Sequence, residues 1–180
     1  MNEKWIREAL ALGFTHAYAL DPKRLHPRED VRAMCAEDKC RAYGRNWTCP
    51  PAIGTLHECA ERMEQYGQGI LLQTVGRMEK DIDSRAIRRT EEEHNRLLRE
   101  FSRLLRAEYP DALCLGAGGC RVCKTCSYPD PCRFPEEALS SMEGYGLFVT
   151  EVCRRFGAEY HHGPRTITFT ACCLFESGKP

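Results

Sequence analysis

The chain has no excess of charge of either sign, no long apolar run and no internal repeat. Its 180 residues set 26 basic against 26 acidic side chains, whereas a protein that neutralises many phosphates shows a basic excess or stripe. Nucleic acid is therefore not an expected partner. No stretch approaches the roughly 18 apolar residues that a membrane span needs, so no membrane partner is expected either. The opening residues, MNEKWIREALALGF, scatter charge through an amphipathic pattern and contain neither an uninterrupted apolar region nor a small-residue cleavage site, which argues against a secretory signal. The expectation is a cytoplasmic protein. Also lacking are a low-complexity tract, a Ser/His/Asp set and any motif for a recognisable organic substrate, so a small-molecule substrate stays unknown. The GAGG stretch at 116–119 has no helix pattern after it and is a poor nucleotide fingerprint.

What the chain does have is cysteine, twelve in all. In a compartment that keeps thiols reduced, that number points to metal or redox chemistry rather than to a disulfide framework. Cys120, Cys123, Cys126 and Cys132 fall within CRVCKTCSYPDPC, a C-x2-C-x2-C-x5-C run comparable to the bacterial ferredoxin spacing. Two-residue gaps let three thiolates wrap one body in a tight turn, and Cys132 returns from beyond the bends at Pro129 and Pro131. Gly116, Gly118 and Gly119 allow backbone N–H groups to approach sulfur, and Arg121, Lys124 and Arg133 put positive charge beside an anionic centre. The reading is a [4Fe–4S] cluster. Zinc is the competitor, because four cysteines also close a tetrahedral site, although structural zinc more often draws two C-x2-C pairs from separate knuckles.

Cys35, Cys40 and Cys49 form a second set in CAEDKCRAYGRNWTCPP, with the density of ligands but one member too few. Cys59, Cys172, Cys173 and His57 are candidates for a fourth ligand. An empty position would instead leave a metal open to substrate, as in a metalloenzyme. The bland alternative is that these cysteines are buried as small hydrophobes around Tyr43 and Trp47. Cys59, Cys114, Cys153, Cys172 and Cys173 read as core residues, and adjacent Cys172 and Cys173 must point to opposite faces of a strand. His161 and His162 read as exposed polar residues of a Gly-flanked turn.

Hydrophobic spacing gives a helix over 3–12 ended by Gly13, a strand over 16–20, and a polar loop with a short helix near Val31. Thr55 with Glu58 three residues on reads as a capping box opening a helix to about Tyr66, followed by a strand over 70–75. The clearest helix runs from 83 to 108. Its stripe is Ile87, Thr90, His94, Leu97, Leu98, Phe101, Leu104 and Leu105, opposite a charged face on which Glu92 and Arg96 stand at i,i+4. A buried strand over 112–115 then leads into the four-cysteine loop. A broken helical stretch runs from Pro135 to Gly157, and an alternating strand spans 166–175. The fold class expected is α/β: a single domain over 1–180, about four strands alternating with helices in a parallel or mixed sheet, with two cysteine-rich metal-binding loops.

The combination of Cys35, Cys40, Tyr43, Gly44, Trp47 and Cys49-Pro50-Pro51 with Gly118-Gly119-Cys120, Cys123, Cys126, Pro131-Cys132, Pro135 and Ser141-Met142-Glu143 resembles the prokaryotic family called predicted metal-binding protein, domain of unknown function 2284. The similarity spans about residues 5 to 175. It implies metal binding and no particular reaction. Where members have a small residue such as Ala, this chain has Gly144, which should loosen a helix there. The residues and the resemblance together suggest an iron–sulfur protein, with one cluster or two, that passes electrons to a redox partner protein. A structural zinc module and a metalloenzyme with an open metal at the Cys35 loop are the alternatives.

Overall fold

Residues 2–177 are described in a computed structural model. Alternating and continuous apolar runs make five strands: β1 (His16–Leu20), β2 (Tyr66–Arg77), β3 (Leu113–Gly116), β4 (Ser140–Ser141) and β5 (Thr166–Ser177). They form one sheet in the order β1-β2-β5-β3-β4. The β1–β2, β2–β5 and β5–β3 pairs are antiparallel, and β3–β4 is parallel. The sheet is thus mixed, with one strand beyond the four expected. That extra strand, β4, is two residues long, too short to leave an alternating pattern, and it lies in the stretch read as a broken helix.

The helices are α1 (Asn2–Leu12), α2 (Glu29–Ala36), α3 (Leu56–Glu64), α4 (Ser84–Glu108) and α5 (Val149–Arg155). Thr55 caps α3 through the reciprocal box with Glu58, each side chain taking the other residue's backbone N–H, and Asp83 caps α4 by accepting from Ala86 N. One face of the sheet packs Ile70, Leu72, Ala171, Cys173 and Phe175 against Trp5 and Ala9 of α1 and Leu97, Leu98, Phe101 and Leu105 of α4. The other packs Leu71, Leu115, Cys172 and Leu174 against Cys59 and Met63 of α3 and Val152 and Cys153 of α5. Cys172 and Cys173 therefore do face opposite layers, as strand alternation requires. Cys114 and Cys173 are registered partners on β3 and β5, and their sulfurs are joined as a disulfide where the sequence suggested two packed thiols.

The buried stripe of α4 is rotated slightly from the expected one. Ala86 and Ser102 are buried, whereas Leu104 is 44% exposed. On the outer face Arg96 pairs with Glu93 and Glu100 and not with Glu92. Helix and sheet approach closely at Gly76, where a Cβ would lie 1.9 Å from Thr90 Oγ1. Only glycine fits there without the two elements parting.

His94 of α4 is fully buried between Phe14 and Phe169. Its Nδ1 lies 2.9 Å from Thr74 Oγ1, and burial pushes its pKa down to about 4. Below about pH 6.5 the unfolded chain takes up a proton that the folded chain refuses, so stability falls as pH drops from there towards 4. The expected loss from this group is roughly 3 kcal/mol over that window. His94→Leu should flatten this part of a denaturant-midpoint profile against pH, and an unchanged profile would contradict the assignment.

Candidate metal centre

Both cysteine loops meet at one end of the sheet. β3 and β4 run side by side with Leu115 opposite Ser140 and Gly116 opposite Ser141, so the chain leaves both strands in the same direction. Beyond β3 come Gly118, Gly119 and the four-cysteine loop. Beyond β4 comes the 3-10 turn Glu143–Tyr145. Ligand sites in α/β sheets collect at such carboxyl ends of parallel strands.

Cys120, Cys123, Cys126 and Cys132 line one pocket with Asn46, Trp47, Thr48 and Phe134. The loop is held in shape by hydrogen bonds to its own backbone carbonyls. Ser127 Oγ donates to Pro131 O at 2.8 Å, Asp130 N donates to Ser127 O at 2.8 Å, and the Arg133 guanidinium donates to Thr125 O. Backbone N–H groups of Val122 and Leu139 point at the Cys120 sulfur and favour its thiolate. Burial acts more strongly in the other direction and pushes that thiol up. Lys124 and Arg133 stand exposed beside Cys123. Arg121, by contrast, is turned to Glu91 of α4 at 2.8 Å.

The other loop supplies the wall of this pocket. Trp47 Nε1 donates to Asp130 O at 2.7 Å, and its ring meets Tyr128 edge-on at 5.0 Å. Cys120 N donates to Thr48 Oγ1 at 3.3 Å, and Asn46 Oδ1 accepts from both Thr48 N and Thr48 Oγ1 at 3.0 Å. One residue after Thr48 and one before Cys120, the chain turns to a second cavity. A Cβ on Gly119 would lie 3.6 Å from Cys49 Sγ.

That second cavity, about 240 Å³, is lined by Cys35, Cys40 and Cys49 together with Met34, Tyr43, Gly118, Gly119, Ser141 and Glu143. Cys35 sits in the last turn of α2, which covers the short helix expected near Val31. The loop after it is pinned by Asp38, whose carboxylate accepts from Tyr43 N at 3.0 Å and pairs with Arg45. Gly44 N donates to Pro50 O at 2.9 Å, closing the loop over Cys49. Burial pushes the Cys49 thiol up to about 11, the Thr48 side chain acts in the opposite direction, and the charges of Cys40, Cys35 and Cys120 add to the rise.

None of the four residues considered as a fourth ligand reaches this cavity. Cys59 is buried on α3 and contacts Ile53 O. Cys172 is buried in the core, Cys173 is bonded to Cys114, and His57 stands at the surface beside Glu61. The residue present instead is Glu143, half-buried, with the Ser141 hydroxyl and Gly118 N–H directed at its carboxylate. It stands in the quoted motif Ser141-Met142-Glu143, but a glutamate after an unpatterned stretch gives no local signal of what it faces. A Cβ on Gly144 would meet Ser141 Oγ at 3.2 Å and Ile53 Cδ1 at 3.3 Å, so an alanine there presses on the wall of the same cavity.

The donors ring each cavity without converging. Among the described residues no three His, Cys, Asp or Glu side chains come close enough to share one ion. A family model described as predicted metal-binding protein (DUF2284) matches residues 18–175. The chain belongs to that family. The match includes all seven cysteines of the two loops, so this DUF2284 protein carries its sulfur-rich end within the matched region. No curated protein and no solved structure matches the chain.

Arg32 holds the two halves of the second site together. Its guanidinium reaches from α2 to the carbonyl oxygens of Gly54 and Gly144, and the Cys35 sulfur lies 3.9 Å from Glu143 O. Removing it leaves two carbonyls without this charged donor, each worth about 1–3 kcal/mol. Arg32→Met is expected to lower stability by about 2–4 kcal/mol in a urea titration. An unchanged urea midpoint would contradict this role.

Proposed function

We propose that this cysteine-rich DUF2284 protein holds a [4Fe–4S] cluster on Cys120, Cys123, Cys126 and Cys132 and exchanges single electrons with a redox partner protein. The observation that carries this reading is that four thiols from one short loop, three of them at successive i+3 spacing, line a single pocket. A closed zinc site needs its four sulfurs within about 2.3 Å of one centre, while a cubane distributes its ligands over separate irons. When bound, such a cluster supplies a reversible one-electron couple.

The protein's part is to hold, insulate and address that group. Trp47, Thr48 and Phe134 shield one side. Amides of Val122 and Leu139 point at sulfur, an arrangement that raises the potential of a bound cluster. Lys124 and Arg133 leave a cationic, exposed rim, which favours an acidic face on the partner.

Cys35, Cys40 and Cys49 are read as ligands of a second iron–sulfur centre beside the first. The cavity that they line has room for more than a metal ion, and this favours a second reading in which the centre is open to a small molecule. A zinc module that organises a binding surface is the remaining alternative, and it predicts stoichiometric zinc with unfolding on chelation.

Iron, acid-labile sulfide and zinc per chain, measured after air-free purification, separate these readings. The proposal expects about four irons and four sulfides for each cluster, loss of one such set in Cys126→Ser, and a reducible paramagnetic signal. Zinc without iron would overturn it.

A further inference from the structure

The second cavity presents three sulfur donors and one oxygen donor. Cys35 comes from α2, Cys40 and Cys49 from the loop after it, and Glu143 from the turn beyond β4. Glu143 Oε2 is buried and has no hydrogen-bond partner among the described residues. A buried carboxylate oxygen without a donor or cation is costly, and protonation, a paired charge or a bound metal relieves that cost. The basic side chains nearby do not supply the charge. Arg32 is committed to the carbonyls of Gly54 and Gly144, and Lys39, at the rim of the cavity, pairs with Glu37 at 2.6 Å.

The position of Glu143 is fixed from several sides. Its carbonyl accepts from Gly146 N at 2.9 Å, Ser141 Oγ accepts from Gly144 N at 2.9 Å, and Arg32 holds Gly144 from α2. The turn therefore holds this carboxylate at the wall that Gly118 and Gly119 share with Cys49. Both glycines lack the Cβ that would narrow the space between the donors.

We infer that Glu143 is the fourth ligand of the Cys35/Cys40/Cys49 centre, through an oxygen bound to the one iron that no cysteine serves. This rests on the reading of that loop as an iron–sulfur site. A carboxylate is a harder donor than thiolate and suits iron. It makes one metal position chemically distinct from the three bound by sulfur.

The test uses chains in which Cys123→Ser and Cys126→Ser together remove the first centre, purified without air. Iron and sulfide per chain, the electron paramagnetic resonance spectrum after reduction, and iron retained after chelator challenge are read for three chains: this background alone, with Glu143→Ala, and with Glu143→Cys. The expected result is about four irons in the background and at least a tenfold faster loss of iron to chelator in Glu143→Ala. Glu143→Cys should recover the iron with an altered spectrum. That recovery also excludes misfolding as the cause of the loss. If Glu143→Ala and Glu143→Cys both keep the background spectrum and chelator resistance, Glu143 is not a ligand although the second centre stands. If the background holds no iron, the second centre itself is absent and the inference falls with it.

Discussion

The close approach of two loops at the end of the β3–β4 pair is the constraint on which the sulfur-rich end depends. Thr48 and Cys49 on one loop meet Gly119 and Cys120 on the other, through the Cys120 N to Thr48 Oγ1 hydrogen bond and the approach of Cys49 Sγ to within 3.6 Å of where a Cβ on Gly119 would stand. Each loop thereby gives one residue to either cavity. A Cβ there would rest in ordinary contact with Cys49 Sγ, which measures how closely the two loops approach. Seven thiols lie around this junction. As thiolates they repel one another, as burial and mutual charge at Cys49 show, and a bound cation is the direct way to reverse that balance.

The sheet sets up this junction by topology and contributes none of the seven sulfurs. Its two apolar faces are covered by α1 with α4 and by α3 with α5, which leaves the strand ends free to carry loops. The short parallel pair β3–β4 aims two chain segments the same way, and α2 brings Cys35 to meet them through Arg32. The cysteines of the core behave differently. Cys172, fully buried with its thiol pushed up to about 12 by desolvation, and the Cys114–Cys173 pair belong to the packed layers.

Much of this was legible in the residues, and what was not has a common physical cause. The α3 capping box, the extent of α4, β1 and the terminal strand follow from local spacing and cap chemistry, and the structure has them where the pattern put them. The gathering of Cys120, Cys123, Cys126 and Cys132 on one pocket also follows from sequence proximity. Illegible were the pairing of β3 with β4, the junction between residues 48–49 and 119–120, and the arrival of Glu143 beside Cys35. Each is a contact between segments far apart in the chain, set by how the sheet is ordered and not by any local preference. The same limit keeps Glu143 out of any reading of the Cys35, Cys40 and Cys49 spacing. A lone glutamate carries no spacing signal, whereas cysteines at i+3 do.

The account stands on iron and sulfide, not a single ion, being what the four thiols of the 120–132 loop enclose. X-ray absorption at the metal edge of anaerobically purified protein tests that most directly. The account predicts an iron edge, with sulfur neighbours and a second shell of neighbouring irons. A zinc edge with four sulfurs at about 2.3 Å and no metal neighbour would contradict it.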